Sequence, residues 1–515
     1  MQTRSVALAV PRGRLAERLR AVARLLPALL PTLIFIPFVL APPLNHDVAA
    51  VLAFSERWLG GERLYVDLID VNPPLIFVLN LIPAFIAART GLDAVLALQL
   101  CLLALGAVIW GLCFRVRDRA GEGPSERALL DVLPGLFIFG AGYDFGQRET
   151  LMAACALPYV LAAARRVQGV QPEGRMATAI LAAIGFALKP YFLAIPALVE
   201  LGVALSRPWR TTLRDPVPWT MAAVWLAYLA ALPILFPAYL ATVVPLVWSF
   251  YLELGETTPL NVLLKPRMTT VLVLLLPLLP LAARRGAHAL PRMLALGGLG
   301  ALVSAMAQHK GWSYHIAPIE MFATAPATVL AARWFDRIGV VRPAIPAVLA
   351  ALGFLYILAN GELPAKEIGY SRSETAELVR QLRPQAEGGR VLVMSPNIAP
   401  IFPALNYLHA TLTLPEMNMW LLEGAYRTCS AGGKRYREVG EMGATEHAVY
   451  QGIAEDLARA PPAAIVIDRA SGIPGCDGAF DFIAYFSRNP LFAEAFSHYE
   501  QTGQTGNYRV YKRKE

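Results

Sequence analysis

Charge is what this 515-residue chain has least of: Asp, Glu, Lys and Arg make up 16% of it, against 56% hydrophobic residues and a mean hydropathy of +0.47. A soluble domain carries roughly 25% charged residues, so a wholly soluble protein is excluded. Cysteine is sparse too, five in all, and no two stand at metal-site spacing. Cys101, Cys113 and Cys155 fall in apolar segments and read as small core residues. Cys429 and Cys476 fall in the polar last third, where a disulfide between them is open if that region lies outside the cytoplasm. There is no glycine-rich phosphate loop, no low-complexity stretch and no internal repeat. Residues 25–44 are followed by no small-residue cleavage site, so they read as a retained first helix and not as a signal peptide.

What is present is a series of apolar runs that recur from Arg24 to Asn360 and then stop. Candidate spans are 25–44, 93–114, 128–141, 149–164, 176–188, 190–205, 217–236, 268–283, 290–307, 315–333 and 343–360. Several are shorter than the roughly 20 residues a straight span needs, which puts the count at about 11–13. The stretch Pro73 to Leu92, interrupted by Pro83, reads as a helix lying in the outer interface. The expected division is a basic N-terminus over 1–24, a membrane domain over 25–360 with a first outer loop at 45–74, and a soluble domain over 361–515.

The net charge of +8 invites a nucleic-acid reading, but the cations sit in short loops between spans. With the arginine-rich N-terminus inside, alternate loops are basic, including Arg115/Arg117/Arg119, Arg165/Arg166, Arg207/Arg210/Arg214 and Arg333/Arg337/Arg342. That is the positive-inside pattern, and it excludes nucleic acid as the partner. The same orientation places the soluble domain outside, in the periplasm of a bacterial inner membrane. Within it, Arg390–Met394, Ala464–Asp468 and Tyr508–Tyr511 read as strands, and amphipathic stretches near 373–383, 447–459 and 479–489 read as helices. A small α/β domain is expected there.

On that topology every unusual polar cluster falls on the outer face. These are Asp47 with Asp67 and Asp70, Asp144 with Arg148 and Glu149, Lys189, and the run His309-Lys310-Gly311-Trp312-Ser313-Tyr314-His315. Ionisable groups beside a bilayer are a functional-site signal, and their convergence suggests one site. A carboxylate such as Asp47 suits removal of a proton from a hydroxyl or amine acceptor. Arg148 suits a bidentate grip on phosphate, and Lys189 and Lys310 are further cations for it. Tyr314 reads as an interfacial anchor, and His315 as a donor-binding side chain. Aromatic residues of the loop 237–267, such as Tyr239, Trp248 and Tyr251, suit an acceptor groove. His46, Asp47, His309 and His315 are metal-ligand types, but no helix sets two of them in register. No metal site is assigned, and a divalent ion stays open as the one cofactor compatible with these residue types.

The stretch Gly60-Gly61-Glu62-Arg63-Leu64-Tyr65-Val66-Asp67-Leu68-Ile69-Asp70-Val71-Asn72-Pro73-Pro74-Leu75 resembles the first outer loop of GT-C-type transferases. The relatives meant are the protein O-mannosyltransferases and the lipid A aminoarabinose transferases. In them an acid follows the first span, then Gly-x-x-Tyr-x-Asp, then Lys-Pro-Pro-Leu. The resemblance covers residues 45–92 well and the overall plan loosely. It implies a polyprenyl-phosphate-linked sugar as donor, with Asp47 at the position of the catalytic acid. Asp67 and Asp70 would hold the loop or orient the acceptor. Asn72 stands where that pattern has lysine, so the phosphate contact must come from elsewhere or the donor differs.

The expected fold is a polytopic α-helical membrane protein of GT-C type with a C-terminal extracytoplasmic α/β domain. The expected activity is an inverting glycosyl transfer to a lipid, glycan or protein acceptor. Two other readings remain open: a transporter or flippase of lipid-linked saccharides, and a non-catalytic cell-envelope assembly protein.

Overall fold

The structure, a computed structural model, describes residues 12–255, 257–284, 288–360, 365–428, 435–473 and 480–514. Cys429 and Cys476 lie outside the described residues. The membrane part is built of α1 (Arg12–Leu40), α2 (His46–Leu59), α3 (Leu75–Thr90), α4 (Ala94–Val116), α5 (Pro124–Phe139), α6 (Arg148–Val167), α7 (Arg175–Phe186) and α8 (Ala194–Ala204). It continues with α9 (Pro216–Leu235), α10 (Pro266–Ala283), α11 (Ala289–Ala307), α12 (Ser313–Arg337) and α13 (Ala344–Asn360). A helix occupies each of the expected spans, and five helices among the described residues are long and apolar enough to cross a bilayer. The chain is a multi-pass membrane protein. The stretch expected in the outer interface forms α3.

Local chemistry sets the helix ends around the first outer loop. Asn45 caps α2, its Oδ1 accepting from the backbone N of Asp47 and Val48, which satisfies two amides that a helix start leaves free. Gly91 ends α3 in the left-handed region at φ 74°, and Asp93 caps α4 two residues later. The chain therefore turns sharply and packs α3 between α2 and α4.

Helix α6 is the centre of the membrane part. It is rich in alanine and buried over most of its length, packed by α4, α5, α7, α8, α11 and α12. Small residues let helices approach closely in a bilayer. Gly300 on α11 is a case against backbone, since a Cβ there would stand 2.5 Å from the Cα of Ile195 on α8. Buried ion pairs tie the helix ends in the basic loops. Arg166 grips Glu200 through both nitrogens at 2.7 and 2.8 Å and Asp215 at 2.8 Å. Arg117 joins Glu122 to Asp131, and Arg333 joins α12 to Glu126 on α5.

The last third forms a five-stranded sheet of order β2-β1-β3-β5-β4, with β1 (Arg390–Met394), β2 (Thr411–Leu412), β3 (Ala464–Asp468), β4 (Tyr499–Thr505) and β5 (Tyr508–Arg513). Strands β1, β2 and β3 are parallel, and the β4–β5 hairpin pairs antiparallel to β3. All five residues of β3 are buried, Asp468 included, as befits a central strand. Helices α14 (Glu374–Ala386), α15 (Ile401–Tyr407), α16 (Trp420–Ala425) and α17 (Ala444–Arg459) accompany the sheet. The domain is docked on the segment 44–69. Asn406 Nδ2 donates to Ala49 O at 3.0 Å, Leu44 N donates to Tyr407 Oη at 2.8 Å, and Ile69 N donates to Pro415 O at 2.8 Å.

Candidate active site

Asp47 is the second residue of α2 and lies 15% exposed at its side chain. Its two oxygens are engaged differently. Gln147 Nε2, at the start of α6, donates to Oδ2 at 2.8 Å and also to Asn45 Oδ1 at 3.1 Å. His46 Nε2 stands 3.6 Å from Oδ1, and the other ring nitrogen of His46 meets Tyr143 Oη at 3.1 Å. Burial works to raise the Asp47 carboxyl, but His46, Arg148, the Gln147 hydrogen bond and Lys189 together hold it below the ordinary carboxylate range.

Asp70 faces the same space in a different condition. It is buried, its Oδ1 accepts from Asn72 N at 2.8 Å, and burial raises its carboxyl to about 6 against the pull of Asn72 and Arg148. Tyr65 fixes the turn, its hydroxyl donating to Asn72 O at 2.6 Å. Asp67 is not in this group. It is partly exposed, closes a salt bridge with Arg63 at 2.9 Å and lines a separate cavity.

The three expected cations are placed differently. Arg148 is 6% exposed, and its Nη1 has no hydrogen-bond partner. It borders a polar cavity of about 480 Å³ on one side and an apolar groove of about 210 Å³ on the other. Asp47 borders the same two spaces. Lys189, by contrast, donates to Glu149 Oε1 at 2.5 Å and to Gln308 Oε1 at 3.2 Å. Burial lowers its ammonium to about 8 even with Glu149 beside it. His315 Nε2 lies 3.6 Å from the same Glu149 oxygen, so Glu149, Lys189 and His315 form one buried group behind Arg148. Lys310 Nζ sits 3.9 Å from the Tyr251 ring centroid and 4.8 Å from that of Trp312, a cation–π arrangement. Tyr314 reaches the polar cavity and packs edge-on against His315.

The apolar groove is walled by Val48 and Val51 of α2, Ile76 and Leu79 of α3, and Leu98 and Leu102 of α4. The polar cavity holds Asp47, Asp70, Asn72, Arg148, Tyr251 and Trp312, and is roofed by the soluble domain through Asn397, Asn418, Trp420 and Glu423. The C-terminal domain thus closes the cavity. Trp420 Nε1 is buried without a partner. Lys366, 3.7 Å from the Tyr143 ring centroid, completes the rim. The aperiodic run Asn418-Met419-Trp420, dense in polar and bulky groups, is the one local signal that marks these residues. Among the described residues, no group of three His, Cys, Asp or Glu side chains is arranged to hold a metal ion.

No protein-family profile matches the chain, and no curated protein matches it. Among solved structures, it is similar to ArnT from Cupriavidus metallidurans bound to undecaprenyl phosphate, with a TM-score of 0.52 and 13% identity over 95% of this chain and 97% of that one. The chain shares the overall fold of that ArnT structure. The apo state of the same ArnT (TM-score 0.48, 13% identity, 96% and 98% covered) is a weaker match. So is the archaeal oligosaccharyltransferase AglB from Archaeoglobus fulgidus in complex with an inhibitory peptide and a dolichol-phosphate (0.41, 12%, 95% and 74%). In this fold the loop that carries Asp47 and Asp70 and the start of α6 that carries Arg148 meet at one cavity.

Proposed function

We propose that the protein is a membrane glycosyltransferase that moves a sugar from a polyprenyl-phosphate donor to an acceptor on the outer face of a bacterial inner membrane. The observation that carries this reading is the position of Arg148, a buried cation with a free Nη1, between an apolar groove and a polar cavity that both touch Asp47. A lipid-linked sugar phosphate has those three parts in that order. Its chain fits the groove, its phosphate meets the guanidinium, and its sugar enters the polar cavity. The likeness in fold to ArnT, solved with undecaprenyl phosphate, supports the same donor class.

In the proposed reaction the acceptor hydroxyl or amine attacks the anomeric carbon from the face opposite the phosphate. Asp47 takes the acceptor's proton. The bond between the anomeric carbon and the phosphate oxygen breaks, and polyprenyl phosphate leaves with the bonding pair. The configuration at that carbon inverts. Charge develops on the leaving phosphate, and a preorganised cation there stabilises the transition state more than the ground state. Arg148 supplies that charge where Asn72 supplies none. Asp70 and Asn72 line the cavity and orient the acceptor. Glu149, Lys189 and His315 hold Arg148 from behind, and Lys310 and Tyr314 shape the aromatic wall. The soluble domain lies on the periplasmic side and the N-terminus on the cytoplasmic side.

The test is incubation of the protein in nanodiscs with a panel of labelled undecaprenyl-phosphate sugars and a membrane extract. Release of undecaprenyl phosphate with label on an acceptor of inverted configuration supports the reading. Label that crosses a sealed bilayer without release of undecaprenyl phosphate overturns it in favour of a flippase.

A further inference from the structure

A second cavity, of about 750 Å³, lies between the first outer loop, the β2 edge of the sheet and α17. Its walls are largely apolar, with Ile69, Leu392, Leu412, Leu414, Ile453 and Leu457 among them. Most of its ionisable groups are neutralised in pairs. Arg57 meets Glu62 at 2.7 Å, Asp67 meets Arg63 at 2.9 Å, and Asp456 meets Arg390 at 2.8 Å and Arg459 at 3.4 Å. Glu416 is the exception. It is 8% exposed, lines the cavity, and forms no ion pair with any described residue. Burial raises its carboxyl to about 7, with only its own backbone amide and the more distant Arg57 pulling it down. An unpaired buried carboxyl is costly unless something else meets it. A large apolar cavity with one convergent polar group is the general form of a ligand site.

The cavity adjoins the candidate active site. One stretch of chain, residues 414–423, is the wall between them: Glu416, Met419, Leu421 and Leu422 line the second cavity, while Met417, Trp420 and Glu423 line the first. Asn418 borders both, its Nδ2 donating to Pro396 O. The wall is fastened to the loop that carries Asp70 by the Ile69–Pro415 hydrogen bond at 2.8 Å and the Ile69–Glu416 bridge.

We infer that the second cavity holds the outer part of the acceptor, an apolar body bearing a protonated amine that pairs with Glu416, while the acceptor's reacting group reaches past Asn418 to Asp47. The acceptor assignment rests on the transferase reading; the binding chemistry of the cavity does not. Charge favours the amine. Glu416 is the lining carboxyl that meets no cation among the described residues, and its match is a cation on an apolar carrier.

Gly452 gives a clean way to close the cavity. It lies within α17 on the cavity wall, and a Cβ there meets nothing within 4 Å. Gly452→Phe therefore adds its ring from a Cβ that meets no neighbour, at the cavity wall, and it removes a glycine from a helix interior, which favours the helix. The experiment is photolabelling of the protein in nanodiscs with diazirine-bearing dodecylamine, dodecanol and dodecanoic acid, with sites read by mass spectrometry. The amine is expected to label residues 412–422 and 444–457 at least tenfold over the acid and the alcohol. Glu416→Gln should remove that preference, and Gly452→Phe should abolish the labelling with thermal unfolding and undecaprenyl phosphate binding unchanged. Equal labelling by the three probes, or labelling that survives Gly452→Phe, overturns the inference. In native membranes, transfer of label from an undecaprenyl-phosphate sugar should fall at least tenfold in Gly452→Phe, and undiminished transfer overturns the acceptor assignment. If wild type fails to bind undecaprenyl phosphate, the transferase reading falls and the photolabelling still decides the chemistry of the cavity.

Discussion

Lys189 Nζ donates to Glu149 Oε1 at 2.5 Å, within a group that also includes His315, 3.6 Å from the same oxygen. The lysine is thereby committed to a buried carboxylate, while Arg148, next in sequence to Glu149, lines the cavity with its buried Nη1 unpartnered. Removing one partner of a buried pair leaves an uncompensated charge and costs about 3–5 kcal/mol. Glu149→Gln and Lys189→Met should each lower the thermal midpoint of the purified protein strongly. The double variant should recover most of that loss, because neither charge is then stranded. Strictly additive losses would show that the pair does not hold the site together.

Arg148 is the predicted phosphate contact. A charge-assisted hydrogen bond contributes about 1.5–3 kcal/mol, so Arg148→Gln should weaken undecaprenyl phosphate binding by roughly ten- to a hundredfold. Arg148→Lys should recover only part of it, since a lysine lacks the planar fork. Scintillation-proximity binding in detergent measures both. Wild-type affinity in Arg148→Gln would remove the phosphate from this position.

Asp70 predicts a pH dependence. Its carboxyl is raised to about 6 in the fold against an ordinary value of 3.8, and Arg148, Asp47, Tyr65 and Tyr239 are the ionisable groups that face it. A raised carboxyl favours the folded state while protonated, so its contribution is full below about pH 4 and is lost as pH rises through about 6. Above that the ionised group costs on the order of 3 kcal/mol. Asp70→Asn should therefore unfold at a higher temperature than wild type at pH 7.5, with the gap closing toward pH 4. The same variant should lose transfer activity. A gap that is constant with pH would place the raised affinity for protons elsewhere.

Gly300 predicts a packing limit. A Cβ at this position meets the Ile195 backbone at 2.5 Å, and backbone cannot rotate away as a side chain can. Overpacking costs about 1–3 kcal/mol, so Gly300→Ala should lower the thermal midpoint with no change in donor affinity. Gly111, where a Cβ meets nothing within 4 Å, should tolerate alanine.

The membrane helices were legible because burial in lipid demands uninterrupted apolar runs, and each expected span coincides with a helix. Asp47 and Asp70 stood out for the opposite reason: ionisable side chains beside a bilayer are rare. Which cation faces the cavity was not legible, since that depends on Glu149 taking Lys189 and leaving Arg148 free, a pairing across 40 residues. The roof was hidden further still. Asn418, Trp420 and Glu423 lie more than 300 residues from Asp47 in sequence, and only the docking of Asn406 and Pro415 onto the outer loop brings them over it. In the C-terminal domain the apolar runs of β1 and β3 and the alternating run of β5 were readable. Strand β2 has two residues and β4 is mostly polar and exposed, so neither carries a period that could be read.

The most direct test of the account compares wild type with Asp47→Asn in nanodiscs, following undecaprenyl phosphate released from a labelled undecaprenyl-phosphate sugar in the presence of membrane extract. Asparagine keeps the shape of the side chain and cannot take a proton at neutral pH. The account predicts that Asp47→Asn binds undecaprenyl phosphate within a fewfold of wild type and loses release by at least a hundredfold, in line with the 10²–10⁴-fold that a positioned base contributes. Release at the wild-type rate from Asp47→Asn would contradict it.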